Sequence, residues 1–213
     1  MATKIYFIRH GQSLGNLNHT FLGHTDLDLS PLGYEQAMRT AQFLKNIHID
    51  KVYSSDLLRA YNTCGEYLKI CGKSAVISRD LREIFAGDWE GNSFDLLQTE
   101  YNESYNIWIT DIGNARPDNG ESVKELNKRV LNTVTKIAQE NDYKTVAVFT
   151  HATFIRSIFN HAYGNSVDDM KHTPWATNAS VSCLIYDGGK FEVINYSEDE
   201  FLVNIKSSFP ANV

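Results

Sequence analysis

Short β-rich runs alternate along the chain with stretches whose apolar residues recur every three to four positions. Lys4–Ile8, Lys51–Ser54, Ala75–Ser78 and Thr145–Thr150 read as strands, and Val146, Val148 and Phe149 give the last of these apolar positions on both faces, as in a sheet interior. Ser30 followed by Pro31 marks a helix start with the stripe Tyr34, Ala37, Ala41, Leu44 and Ile47. Ser122 and Glu125 have capping-box spacing ahead of Val123, Leu126, Val130, Val134 and Ile137. Further helices are predicted from Asp56 to Ile70 and from Thr153 to Tyr163. Ser180–Tyr186 and Phe191–Tyr196 flank Asp187-Gly188-Gly189 as a hairpin. With right-handed crossovers, this alternation predicts an α/β protein. It is a three-layer α/β/α arrangement with a mainly parallel central sheet and one antiparallel edge element.

No repeat, charge block or Gly/Ser linker divides the 213 residues, so a single domain over residues 1–213 is expected. At 42% hydrophobic and 22% charged residues, the composition excludes a disordered or low-complexity chain. A net charge of -6 argues against nucleic acid or an anionic membrane surface as partner. Cys64, Cys71 and Cys183 form neither a disulfide framework nor a thiolate zinc site, and Ile5–Ile8 is too short for a signal-peptide core. A cytoplasmic location follows as the expectation. An acidic, cysteine-poor chain of this size is compatible with a monomer or a homodimer.

In open α/β sheets, ligands bind beyond the carboxyl ends of the strands. Arg9 and His10 follow the first strand, Ser54 to Arg59 the second, Glu83 the third and His151 the fourth. Two arginines, two histidines and a carboxylate at one rim suit phosphoryl transfer. Arg9 and Arg59 supply forked guanidiniums for phosphate oxygens. His10 is the candidate nucleophile, because a neutral imidazole with one nitrogen held by an acceptor can attack phosphorus through the other. Glu83 is the candidate proton donor to the leaving oxygen and later the base for water, with Glu90 and Glu121 as competing carboxylates. His151, at a helix start, can donate to a non-bridging oxygen. Such a set requires no metal and no other cofactor. His24, Asp26 and Asp28 alternate suggestively, but no fourth ligand is evident, so no metal site is expected.

The ordered series Arg9-His10-Gly11, Asn16, Asp28-Leu29-Ser30, Gly33, Ser54-Ser55-Asp56-Leu57-Leu58-Arg59-Ala60, Leu81-Arg82-Glu83, Gly87-Asp88-Trp89-Glu90-Gly91, Gly120-Glu121-Ser122 and Thr150-His151 resembles the histidine phosphatase superfamily, the phosphoglycerate-mutase-like fold. The resemblance spans about residues 4 to 185. It implies phosphorylation of His10, a phosphate pocket of Arg9, Arg59 and His151 with it, Glu83 as proton donor, and Asn16 on the loop that contacts phosphate. Gln12-Ser13 stands where the family commonly has Glu-Thr or Glu-Ser. Ala152 replaces a frequent Gly after the second histidine; being small, it still permits close backbone approach to substrate. His19, His24, His48, His161 and His172 match no catalytic position.

The resemblance implies a metal-independent phosphatase acting on a small phosphorylated metabolite. The alternative is a cofactor-dependent phosphoglycerate mutase. Only 67 residues separate Glu83 from His151, which looks short for a mutase, and Gly87-Asp88-Trp89-Glu90-Gly91 is more like the phosphatase branch. A non-catalytic binding module on the same fold would be expected to lack the nucleophile or an arginine, and neither is missing here. Phe21–His24, Phe85–Pro117 and Thr173–Asn178 are the candidate pocket walls. Trp89, Trp108, Trp175, Phe21, Phe85 and Tyr105 are expected mostly in the core, those from Phe85 to Pro117 also being candidates for the wall.

Overall fold

The apolar alternation of the first strand divides the core in two. In the computed structural model, which describes residues 2–207, Ile5 and Phe7 of β1 (Thr3–Arg9) face one side and Tyr6 and Ile8 the other. The first side meets α6 (Val123–Gln139) and α7 (Ala152–Ala162) through Val130, Val134, Phe154 and Ile158. The second meets α2 (Pro31–Leu44) and α3 (Leu58–Cys71) through Ala41, Leu44, Cys64 and Tyr67. A sheet covered on both faces by helices is the predicted three-layer architecture.

With β2 (Lys51–Ser55), β3 (Ala75–Ser78), β4 (Thr145–Thr150), β5 (Val181–Asp187) and β6 (Lys190–Glu198), the strand order is β3-β2-β4-β1-β5-β6. The first four are mutually parallel, β5 runs antiparallel to β1, and β6 is antiparallel to β5. The hairpin turns on Gly188 and Gly189, both at positive φ (55° and 90°), where side chains would be strained. β4 enters the sheet between β2 and β1, and its register pairs Arg9 with Thr150. The residues that follow these two strands, His10 and His151, are thereby neighbours.

Element ends differ from expectation where distant segments supply the caps. The helix predicted from Asp56 starts at Leu58, whose N–H is met by Asp26 Oδ1 at 2.7 Å. Asp56 is instead clasped by Arg82 at 2.7 and 2.6 Å, which holds its carboxyl below the usual range. The helix stripe predicted to reach Ile47 ends at Leu44, and Ile47 packs from the following turn onto the second core half. Among the described residues, three α-helices lie outside those expectations: the one-turn α1 (Leu14–Leu17), α4 (Phe94–Glu100) and α5 (Asn102–Thr110). Each is short, with too few turns for a period of three to four residues to show. Their starts are still marked locally in two cases, by a Ser13–Asn16 capping box and by Ser93 Oγ accepting from the Leu96 N–H.

Candidate active site

Arg9, His10, Asn16, Arg59, Glu83 and Ala152 line one open cavity at the carboxyl rim of the sheet. His151 lies one layer deeper. It is fully buried, with its ring 5.2 Å from that of His10.

The first loop is set by close backbone approach. A Cβ on Gly33 would fall 2.0 Å from the Gln12 carbonyl oxygen, and one on Gly11 would fall 2.4 Å from that of Gly33. Glycine at both positions lets the start of α2 press against the His10 loop. Gln12 faces that helix: its N–H donates to Gln36 Oε1 at 2.8 Å and its Oε1 accepts from Ser30 Oγ at 2.7 Å. The His10 Nδ1–H donates to the Gly11 carbonyl at 2.7 Å, so Nε2 carries the lone pair. Burial, then the charges of Arg59 and Arg9, pushes the His10 pKa well below 6.5 and keeps the ring neutral.

Arg59 donates from Nη1 to Thr25 O (2.9 Å) and from Nη2 to Gly23 O (2.7 Å), two of the five N–H donors a guanidinium holds. Arg9 donates from Nη1 to Ala176 O at 2.5 Å. Burial pulls Arg9 down to about 9 and Arg59 to about 10, while Glu83 partly offsets both shifts. Two desolvated guanidiniums beside a neutral imidazole constitute a strong anion site.

All three carboxylates hold donors, and Glu83 is separated from its competitors by its place at the cavity. Glu90 accepts from the N–H groups of His24, Thr25 and Ala86, tying two loops together. Glu121 is bound by Arg129 at 3.0 and 2.7 Å. Neither lines the cavity, whereas Glu83 does. Its Oε1 accepts from Ile84 N–H and its Oε2 from Thr153 N–H in the first turn of α7.

His151 caps α7 and contacts Ser55 Oγ through Nε2 at 2.9 Å, while its buried Nδ1 has no hydrogen-bond partner among the described residues. Burial, Arg59 and His10 hold its pKa well below 6.5. Asn16 Oδ1 accepts from Ser13 N–H and Asn178 Nδ2, both at 3.1 Å, which leaves its amide group as the donor it can offer.

Three residues make supporting contacts that their positions in the sequence do not reveal. Arg129 donates to the carbonyls of Asp80, Arg82 and Glu83, holding the Glu83 loop in place. Asn178 donates to the His10 carbonyl. Thr153 offers Glu83 its backbone N–H. Their signal is tertiary: a polar residue on a helix face or in a loop looks ordinary until its partner is known.

Of the residues read as a metal hint, His24 Nε2 bonds the Glu83 carbonyl, Asp26 caps α3 and Asp28 takes Tyr34 and Asn62. They serve separate contacts. Among the aromatics, Phe21, Trp108 and Trp175 line the cavity with Phe94, whereas Trp89 and Tyr105 lie behind them in the core. Phe85 is 42% exposed and packs on His24.

A fold with these strand-end residues defines a class, and comparison with known proteins gives it a family. Residues 5–199 match the model of the histidine phosphatase superfamily (branch 1), and the chain belongs to that family. It is 31% identical over 194 residues to phosphoglycerate mutase-like protein 4 of Arabidopsis thaliana, covering 89% of this chain and 83% of that protein. It is 28% identical to the adenosylcobalamin/alpha-ribazole phosphatase of Escherichia coli K12, covering 79% and 83%. Among solved structures, a mutant phosphoserine phosphatase of Entamoeba histolytica in complex with phosphoserine superposes with a TM-score of 0.83 at 26% identity. That match covers 94% of this chain and 100% of the other. The class of the enzyme is phosphoric monoester hydrolase. No helix among the described residues is long and apolar enough to cross a membrane.

Proposed function

We propose that this chain is a cytoplasmic, metal-independent phosphatase that hydrolyses a small phosphomonoester through a phosphohistidine on His10. The observation that carries the reading is the His10 ring itself. Its Nδ1 is committed to the Gly11 carbonyl, its Nε2 is the remaining nucleophilic atom, and Arg9, Arg59 and Glu83 share its cavity.

Arg9 and Arg59 bind the non-bridging oxygens, and Asn16 and the backbone at Ala152 complete the cradle. His10 Nε2 attacks phosphorus as the ester P–O bond breaks, and Glu83 delivers a proton to the leaving alkoxide. Glu83 then takes a proton from the water that attacks the phosphohistidine, which returns free His10 and inorganic phosphate. His151 donates from its unpartnered Nδ1 as charge builds on the phosphoryl oxygens. The guanidiniums supply the positive charge that a metal ion would otherwise provide, so EDTA is expected to leave turnover intact.

The test is release of phosphate from p-nitrophenyl phosphate in EDTA, with quenching in alkaline detergent to trap enzyme labelled from a radiolabelled phosphomonoester. An acid-labile phosphoenzyme that is absent from His10→Ala is expected. Full activity in His10→Ala, or a requirement for metal, would overturn the mechanism. Interconversion of phosphoglycerates dependent on a bisphosphoglycerate would assign the chain to mutase chemistry instead.

A further inference from the structure

Beyond the atoms assigned to the phosphoryl group, the cavity is walled by four aromatic rings, with Leu22, Gly23 and the uncharged hydroxyl residues Ser13, Thr20 and Thr153 beside them. Trp108 and Trp175 lie 6.1 Å apart at 30°, Trp108 meets Phe21 at 5.2 Å and 74°, and Phe21 meets Phe94 at 6.4 Å and 84°. All four rings line the cavity. Its cationic side chains are Arg9 and Arg59, both given to phosphate, and the other charged lining residue is Glu83. A carboxylate or second phosphate on the leaving group would therefore lose its hydration without gaining a counter-charge, and would face a carboxylate. An aromatic or bulky apolar alcohol finds ring faces and edges instead.

The Trp175 ring is held by a second device. Arg156 of α7 does not line the cavity; it lays its guanidinium over Trp175, 4.2 Å from the ring centroid. The same side chain is only 6% exposed and donates from Nε to Thr173 O (2.6 Å) and from Nη2 to Met170 O (3.0 Å). Four residues on, Asn160 grips the same segment by donating to Ser166 O and accepting from Thr173 Oγ1. One face of α7 thus clasps the backbone that leads to Trp175. The partners of Arg156 in these contacts are carbonyls and an indole rather than a carboxylate, so its contribution is to the position of that segment and ring.

We infer that the pocket selects phosphomonoesters of uncharged aromatic or bulky apolar alcohols over esters bearing a further anionic group, with Trp175 as a specificity-determining residue and Arg156 as its positioning residue. The catalytic part of this statement rests on the proposed hydrolysis at His10; the recognition part does not.

Two measurements separate them. In the first, kcat/KM is compared for 2-phenylethyl phosphate, glycerol 3-phosphate and O-phosphoserine, all esters of primary alcohols. The aromatic ester is expected to lead by at least about tenfold, with phosphoserine last. Parity, or a lead for phosphoserine, overturns the inference. In the second, calorimetric binding of 2-phenylethylphosphonate is compared with that of 3-phosphonopropanoate. Tighter binding of the aryl compound by about tenfold or more supports the wall even if no ester is turned over, an outcome that would sink the hydrolysis reading alone. Equal binding overturns the wall.

Trp175→Ala should collapse the ratio of aromatic ester to glycerol phosphate towards one, and Trp175→Phe should restore most of it. Arg156→Lys should raise KM for the aromatic ester more than it lowers kcat, which a purely structural role would not do. An unmoved ratio in Trp175→Ala refutes the assignment whether or not the Arg156 variant folds.

Discussion

At the residue scale, the site is a contest between burial and charge. His10 and His151 are buried as neutral rings, whereas an unfolded chain protonates both near pH 6.5. Between their depressed folded pKa values and about 6.5, the unfolded state binds more protons. Stability is therefore complete above about pH 6.5 and declines as pH falls, by up to about 1.4 kcal/mol per pH unit for each ring. Thermal melts from pH 7.5 to 5 should show that decline, and replacing both histidines by Asn should flatten it. Catalysis gives a second test. Glu83→Gln should reduce turnover far more on alkyl phosphates than on p-nitrophenyl phosphate, since only a poor leaving group needs the proton. Equal losses on both would remove Glu83 from the acid role. The gathering of Arg9, His10 and Arg59 at one rim was legible because they follow successive strands of a parallel sheet. The choice of Glu83 over Glu90 and Glu121 was less secure, because it depends on which of the three carboxylates the packed loops bring to the cavity.

At the element scale, secondary structure delivers residues to the rim and loops hold them there. Arg129 projects from α6 to bind three carbonyls of the loop around Glu83. Arg129→Ala should lower kcat by about tenfold or more, with a smaller effect on inhibition by inorganic phosphate; a matched loss in both would mean a general collapse of the site. Gly33→Ala should lose several kcal/mol of stability as well as activity, because backbone cannot yield the space that a Cβ 2.0 Å from Gln12 O demands. Denaturant melts test this. Ser122→Ala, by contrast, removes only the cap of α6 and should cost about 1 kcal/mol without changing kcat. Helices with long apolar stripes, such as α2 and α6, could be read directly. α4 and α5 could not, because at seven and nine residues they are too short to repeat an apolar stripe, and their rings join a local aromatic cluster.

At the scale of the whole molecule, a chain of net charge -6 concentrates two buried guanidiniums at one cavity. A bound anion should relieve their desolvation. Inorganic phosphate or vanadate at about 100 times its Kd should add about 2.7 kcal/mol, which raises Tm by roughly 5–10 °C in a protein of this size. Arg59→Ala should abolish most of that shift. The order of strands and helices, the two-faced core and the chemical identity of the strand-end residues were all written in local pattern, because apolar period and side-chain chemistry are properties of short segments. The tertiary structure decided the rest. By threading β4 between β1 and β2, it set His151 beside His10; by folding the loop after β3 against α7, it brought Glu83 rather than Glu90 or Glu121 to the cavity; and by clasping Trp175 with Arg156, it made an aromatic wall from residues far apart in the chain. These depend on which distant groups satisfy one another after packing, and no local pattern carries that information.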